Sequence, residues 1–353
     1  VIWLEIHIRI KSNTKMFCSC KNALELADEP NVNVCPVCMW FPGMLPSLNE
    51  NVVKLWLKWW LMMWCEINKI SRFDRKTYFY PDSPNAFQIT QLYEPIVWVW
   101  SVKTIVNGET REFWIHHMHL ENDAGSLKHA WWKTMCDYNR AGSPLMEIVT
   151  DPVFHNKDEV MEFLKELQKL MRAGWVSDAD MEKWQLRCDV NISVRKKWVI
   201  ELGNRTETKN VNSFSAIGRV IDHESKRQIK ILESGGTIDQ ETRWWDDAKW
   251  VWSTQRSKED AMDYRYFPEP DLLPVVLEDS FIDWLRASLP ELPIEKRLQY
   301  LSEYKVSDDD ARLLTSDKNL SDYFDNLVSL TSDPKKSCSY ITTILLALIK
   351  ESE

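Results

Sequence analysis

Leu4-Glu5-Ile6-His7-Ile8-Arg9-Ile10-Lys11 places an apolar residue at every second position, and two is the side-chain period of a β-strand. Its polar partners Glu5, His7, Arg9 and Lys11 then share one face. Leu186-Arg187-Cys188-Asp189-Val190-Asn191-Ile192-Ser193-Val194-Arg195 repeats the pattern and lines up Arg187, Asp189, Asn191 and Arg195. A solvated sheet face ordinarily carries Thr, Ser and Lys, so this density of carboxylate, imidazole and guanidinium predicts a sheet whose polar side binds charged ligands. The plain alternative is an antiparallel sheet with one wet face. A third extended stretch, Ile115 to Asp123, would put His117, His119, Glu121 and Asp123 together, with Gly125 ending it. Oxygen ligands with imidazole at that period suit a divalent cation, Mg2+ or Mn2+.

The rest of the composition narrows the class. With 353 residues, 44% hydrophobic and 27% charged, the chain has room for more than one domain and a sizeable core. It holds no apolar run of about 18 residues, and it begins on a strand pattern rather than a basic and apolar leader. Those features predict no membrane association and a bacterial cytoplasm or an organelle matrix. A net charge of −9 argues against a protein that coats nucleic acid without sequence preference, and leaves room for local basic patches such as Arg195-Lys196-Lys197. The 19 Trp against 9 Gly are abnormal, because an indole cannot take over a left-handed glycine position without strain.

Cys18-Ser19-Cys20, fourteen residues, then Cys35-Pro36-Val37-Cys38 form a C-x-C and a C-x-x-C, a spacing suited to four thiolates around structural zinc. Four unligated thiols in a reducing compartment are the alternative. Cys65, Cys136, Cys188 and Cys338 read as small buried hydrophobes. The loop from Phe73 to Asp82 offers Arg75 and Lys76 to phosphates and its tyrosines to a base, or else packs aromatics beside a solvated Arg-Lys pair.

Apolar residues at Val160, Phe163, Leu164, Leu167, Leu170 and Met171 predict a helix over 156–173 stopped by Gly174. A second helix is expected over 216–234, ending at Gly235-Gly236. From about residue 280 the pattern turns helical and charged, with Pro290 and Pro293 at a boundary. The expected fold is therefore α+β: a largely antiparallel sheet with packed helices over 1–290, containing the four-cysteine segment at 18–38, and the start of a helical domain over 291–353. Neither a P-loop nor a dinucleotide-binding glycine motif is present, so a nucleotide would be held by metal ions and side chains on the sheet. No Gly/Ser-rich nucleophile segment of an amide hydrolase is present either, so any ammonia must come from another protein.

Several long motifs, in order along nearly the whole chain, closely resemble the B subunit of the tRNA-dependent amidotransferase GatCAB. They are 3–7, 73–82, His119-Leu120-Glu121-Asn122-Asp123-Ala124-Gly125, Asp137 to Leu145, Leu186 to Arg195, Arg205 to Phe214, Gln240 to Arg243, and Asp263 to Asp271. The resemblance implies a cradle domain like that of glutamine synthetase. It implies ATP-dependent phosphorylation of the side-chain carboxylate of Glu-tRNA(Gln) or Asp-tRNA(Asn), followed by amidation with ammonia that a partner A subunit releases from glutamine. The implied activity is that of a glutamine-hydrolysing glutaminyl-tRNA synthase, a carbon-nitrogen ligase in protein biosynthesis. A small C subunit would complete a heterotrimer with A and B, and misacylated tRNA would be the other partner.

The family's G-L-E-x-H and H-x-E-E-D-x-G-K motifs carry Mg2+ ligands onto Glu5, His7 and Glu121, while the zinc ligands remain those the cysteine spacing gives, Cys18, Cys20, Cys35 and Cys38. Glu5, His7, Glu121 and Asp189 would be catalytic. Arg75, Lys76, Arg187, Asn191, Arg195 and Lys209 would hold ATP, with Asn210, Arg265 and Tyr266 as further candidates. The chain departs from the pattern at Asn122, where the family usually has Glu, and at Ser126, where it has Lys. Trp3, Trp40 and Trp184 stand at usual Gly positions, and the family's tRNA-holding tail domain is not among these residues. Competing readings are a zinc-bearing tRNA-binding scaffold without catalysis and a ligase acting on a small free carboxylate.

Overall fold

The computed structural model describes residues 1–22, 29–63, 65, 67–96, 100–211, 213–246, 251–257 and 263–352. The 2–9 stretch forms strand β1 (Ile2–Arg9), whose Ile2, Leu4, Ile6 and Ile8 are buried while Trp3, Glu5 and His7 are half-buried. The alternation thus reports two differently packed faces, and neither is simply wet. After helix α1 (Glu50–Met62) come the short strands β2 (Ile70–Ser71), β3 (Asp74–Thr77) and β4 (Phe87–Thr90). Next are β5 (Trp100–Val106), β6 (Glu109–Asn122), the hairpin β7 (Ser126–Ala130) and β8 (Lys133–Asp137), β9 (Pro144–Thr150) and helix α2 (Lys157–Ala173). The chain continues through β10 (Leu186–Ile192), β11 (Thr206–Val211), α3 (Phe214–Glu233), β12 (Glu241–Asp246), β13 (Val251–Ser257), β14 (Phe267–Pro268) and β15 (Val275–Val276).

Eight of these strands make one mixed sheet in the order β13-β12-β11-β10-β1-β9-β6-β5. Every neighbouring pair in it is antiparallel except β11 with β12. β1 therefore lies at the centre, between β9 and β10, which is why its polar residues are surrounded by those of other strands. The architecture is mixed α+β, a large sheet with packed helices.

Helix α2 starts on Asn156, whose side chain accepts from the Glu159 amide, and its apolar stripe of Val160, Phe163, Leu164 and Leu167 is fully buried. Phe163 packs on Phe113 and Phe154, tying the helix to the sheet. The helix ends at Ala173 with Gly174 as its C-cap, as expected. Gly174 has φ −77°, and the left-handed position falls on Trp175 at φ 58°. In α3 the stop follows expectation, with Gly235 at φ 81°. Helix α1 buries Trp56, Trp59 and Trp60, the last two of which meet Trp100 edge to face. Of the remaining cysteines, Cys188 and Cys338 are buried, whereas Cys65 and Cys136 are half-exposed.

After α4 (Asp279–Ala287), α5 (Pro293–Ser302), α6 (Asp308–Leu314), α7 (Lys318–Thr331) and α8 (Pro334–Tyr340) lead to a π-helical turn at 341–345 and a last helix, α9 (Leu346–Ser352). They gather around a second apolar cluster of Tyr300, Ala311, Leu314, Phe324, Val328 and Ile341. No described helix is long and apolar enough to cross a membrane.

Candidate active site and metal centres

Strand register builds the polar centre. Glu5 lies opposite Asp189, and His7 stands between Glu147 on β9 and Arg187 on β10. Glu147 is in turn opposite His119 on β6. Four adjacent strands thus contribute a transverse row, His119, Glu147, His7 and Arg187, with Glu121, Glu5 and Asp189 in the neighbouring positions. On the far side of β10, Asn191 is paired with Glu207.

The side chains converge. His7 Nε2 lies 3.4 Å from Glu147, 3.7 Å from Glu121 and 3.9 Å from Glu5. His119 Nε2 is 3.5 Å from Glu147 and 3.7 Å from Glu121. Glu121, Glu147 and Asp189 are buried, and carboxylates taken out of water require cations or donors around them. Burial opposes charge on His7, but the hydrogen bond and charge of Glu147, with Glu121, push its pKa up to about 9. His119 is pushed up to about 10 against its burial, chiefly by Glu147 and Glu121. Glu147 is held well below the usual carboxylate range, because His119 and His7 outweigh its burial. Glu5 lies at about 7, raised by burial and then by Glu147.

Cations frame this centre on both sides. Lys209 Nζ is 3.0 Å from both Asp189 and Glu207. Asp123 is ion-paired with Arg140 at 3.3 Å and Arg187 at 3.4 Å, so it faces guanidiniums rather than joining His117 and His119. An open cleft of about 240 Å3 lies over His7, Lys76, Gln88, Glu121, Asp123 and Arg187. Lys76 lies over the Tyr264 ring at 5.0 Å, and the charges of Glu121 and Glu147 outweigh its burial and raise its pKa. Gly125 closes the end of β6: a Cβ there would meet the Asp137 carbonyl at 2.9 Å and the Asp82 carbonyl at 3.1 Å.

Other expected residues sit elsewhere. Arg75 forks onto Glu269 at 2.7 Å and 2.8 Å, reaches Asp271 at 2.8 Å and lies over Phe87, so it clamps β3 to the 267–271 segment. Arg195 lies beyond the end of β10 and donates to the Val199 carbonyl. Asn191 is buried, with its side-chain oxygen unpaired among the described residues. Arg265 has φ 44° and its amide donates to Asp263, while Tyr266 meets Tyr264 edge to face. The Asn210 side chain lies outside the described residues. Asn122 accepts the Ile89 amide through Oδ1 at 2.7 Å, so it acts as a brace between strands.

Two carboxylates at the centre, Glu147 and Glu207, are not among the residues the sequence singles out. Glu147 has a visible signal, a single acid inside the apolar run Leu145-Met146-Glu147-Ile148-Val149. Together with the expected residues they form three potential metal-ligand groups: Glu5, His7 and Glu147; Glu5, Asp189 and Glu207; His117, His119 and Glu147. Within each, the ligand atoms lie within 4.8 Å of one another. The first two, rich in oxygen donors, fit a hard divalent cation.

The four cysteines are gathered just as closely, with Cys18, Cys20, Cys35 and Cys38 forming one cluster able to hold a metal. The Cys35 amide donates to Cys38 Sγ at 3.2 Å, and the fully buried Lys15 ammonium lies 3.6 Å from the same sulfur. The hydrogen bond with Cys18, followed by the Cys35 amide and the Lys15 charge, brings the Cys38 thiol down to about 5 against its burial. Four thiolates with a buried ammonium beside them are the donor set of a closed tetrahedral zinc site.

A family model described as the GatB/GatE catalytic domain matches residues 1–283. The B subunit of the aspartyl/glutamyl-tRNA(Asn/Gln) amidotransferase of Lachnoclostridium phytofermentans is 44% identical over 355 residues, covering 100% of this chain and 74% of its own length. The protein of the same name from Persephonella marina is 45% identical over 352 residues, covering 99% of this chain and 74% of its own. That of Elusimicrobium minutum is 45% identical over 358 residues, covering 100% and 74%.

Proposed function

The chain belongs to the GatB/GatE catalytic-domain family, and from that premise we propose that its row of carboxylates and imidazoles is where an aminoacyl-tRNA side chain is activated and amidated. Its role is that of a tRNA-dependent amidotransferase subunit in a glutamine-dependent ligase. The substrates are Glu-tRNA(Gln), Asp-tRNA(Asn) or both, phosphorylated on the side-chain carboxylate by ATP and then aminolysed by ammonia from an A subunit, with a C subunit completing the heterotrimer. In this reading residues 1–290 are a glutamine synthetase-like cradle and 291–353 the beginning of a helical domain.

The observation that carries the reading is the convergence of Glu5, His7, Glu121 and Glu147 under an open cleft that also holds Lys76 and Arg187. A carboxylate approaching the terminal phosphate of ATP brings two anions together, and the main task is to neutralise and align them. Mg2+ held by Glu5, His7, Glu121 and Glu147 would supply that neutralisation. Lys76 and Arg187, on the cleft wall, bind phosphate or carboxylate oxygens. Lys209 holds Asp189 and Glu207 in place, and Asp123 orients Arg140 and Arg187. Asn191 offers its side-chain oxygen, unpaired among the described residues, near the end of β10. Zinc on the four cysteines would be structural, since all four ligands come from the protein.

The test is ammonia-dependent amidation of misacylated tRNA by the chain reconstituted with its A and C partners, comparing the parent with Glu5→Ala and Glu121→Ala. Variants that bind tRNA but no longer form amide at the expense of ATP support the reading. A parent that binds tRNA and never consumes ATP overturns it in favour of a scaffold.

A further inference from the structure

We propose that His117, His119 and Glu147 form a separate site for a transition ion of the Zn2+ class, beside the carboxylate-rich positions. The three ligand atoms lie within 4.8 Å of one another, close enough for small side-chain rotations to bring them around one ion. The two imidazoles stack at 14° with centroids 5.7 Å apart on β6, across from Glu147 and Val149 of β9. A pair of imidazoles with one carboxylate is a donor set that Zn2+, Co2+ and Fe2+ prefer, whereas Mg2+ asks for oxygen throughout.

Two further observations concern the second nitrogens of the imidazoles, His119 presenting Nε2 to Glu147 at 3.5 Å. His119 is more than nine-tenths buried, yet its Nδ1 has no hydrogen-bond partner among the described residues. His117 Nδ1 lies 2.7 Å from His116 Nδ1. When His117 is the donor in that bond, its lone pair falls on Nε2, and the second nitrogen is fixed by a neighbour as in most metal-binding histidines. The β-bulge between Ile115 and His117 makes this arrangement, because it inserts His116 as an extra residue against β9.

Glu147 also belongs to the group with Glu5 and His7. One carboxylate would therefore bridge an imidazole-rich position and an oxygen-rich one, as in two-metal centres. The site stands on these side chains alone and does not depend on the amidotransferase reading.

The test is a Co2+ titration of the metal-stripped full chain in excess Mg2+, read by absorption. Cobalt on the cysteines gives an intense thiolate charge-transfer band, and cobalt on imidazole and carboxylate gives only weak ligand-field bands. The parent is expected to take up one equivalent of each kind. His117→Ala is expected to weaken the thiolate-free equivalent at least about tenfold, with the thiolate band and melting temperature unchanged. Uptake at the thiolates alone overturns the proposal, as does a thiolate-free equivalent that His117→Ala binds at parental affinity. Should His117→Ala not fold, His117→Gln is titrated in the same way and read by the same two outcomes.

Discussion

The four thiols come from one short segment, residues 18–38, whereas Glu5, His7, Glu121, Glu147, Asp189 and Glu207 are brought together from five strands spread over two hundred residues of sequence. A cluster closed by a short loop costs little chain entropy and depends on its own turn. The cradle depends on register across β6, β9, β1, β10 and β11, and a slip of one residue in any strand would turn its charged side chain to the opposite face. The first kind of site can fail without disturbing the sheet. The second cannot fail at one strand alone, because Glu147 and Glu5 each belong to two ligand groups.

Glu147→Ala should break this comparison most severely. It removes a carboxylate shared by two groups and leaves His7 and His119 without their nearest anion. Amide formation in the reconstituted complex is expected to fall by roughly a hundredfold or more, the scale of losing a metal's charge neutralisation. An unchanged rate with Glu147→Ala would remove that residue from the centre. Cys35→Ser should act in the opposite sense: bound zinc is lost and the melting temperature drops by a few degrees, while most of the turnover remains. Zinc content, a thermal melt and the amidation rate on the same preparation test this, and a loss of turnover equal to that of Glu147→Ala would show the two regions to be one unit.

The same contrast decides what can be read from the sequence. Cysteine spacing is local, so the thiol cluster is legible as letters. Period two places Glu5 and His7 on one face of β1 and Asp189 on that of β10, but alternation within a strand carries no information about its neighbours. Glu147 sits in a run buried on both faces, where alternation disappears, and only its charge marks it. Arg75 misleads for a related reason: its Glu269 and Asp271 partners lie almost two hundred positions away and leave no trace near it. The end of α2 at Gly174 is legible, but the left-handed residue that follows is Trp175, because the turn after the cap is set by the chain's onward path and not by where a glycine is available.

Titration offers a finer distinction. In the metal-free protein His7 and His119 have pKa values raised to about 9 and about 10 from an ordinary 6.5. Their stabilising contribution is therefore complete below pH 6.5 and lost as pH rises through 9 to 10. Glu5 works against folding, since its carboxyl is raised from 4.5 to about 7, and that penalty accrues from about pH 4.5 and is complete above 7. The histidines therefore predict stability falling from neutral to alkaline pH, with Glu5 adding a decline only up to about pH 7, the cradle being the cause. Denaturant unfolding from pH 6 to 10 should show the decline in the parent and a flatter profile in His7→Gln. The same decline in both proteins would shift its origin away from this centre.

The smallest effect concerns two tryptophans in left-handed conformations, Trp40 beside the cysteines and Trp184 just before β10. Glycine at either position should relieve strain of about 1 kcal/mol or more. Trp184 is 42% exposed, so little packing opposes that gain, and Trp184→Gly is expected to raise stability by about 1 kcal/mol. Trp40 meets Phe87 edge to face at 5.1 Å, a contact worth a similar amount, about 0.5–1.5 kcal/mol, so Trp40→Gly should be nearly neutral. Denaturation midpoints of the two variants measure the difference directly. Equal gains would mean that the Phe87 contact contributes little and that hydrogen bonds such as that of the Asn33 amide to Asn139 hold the cysteine segment.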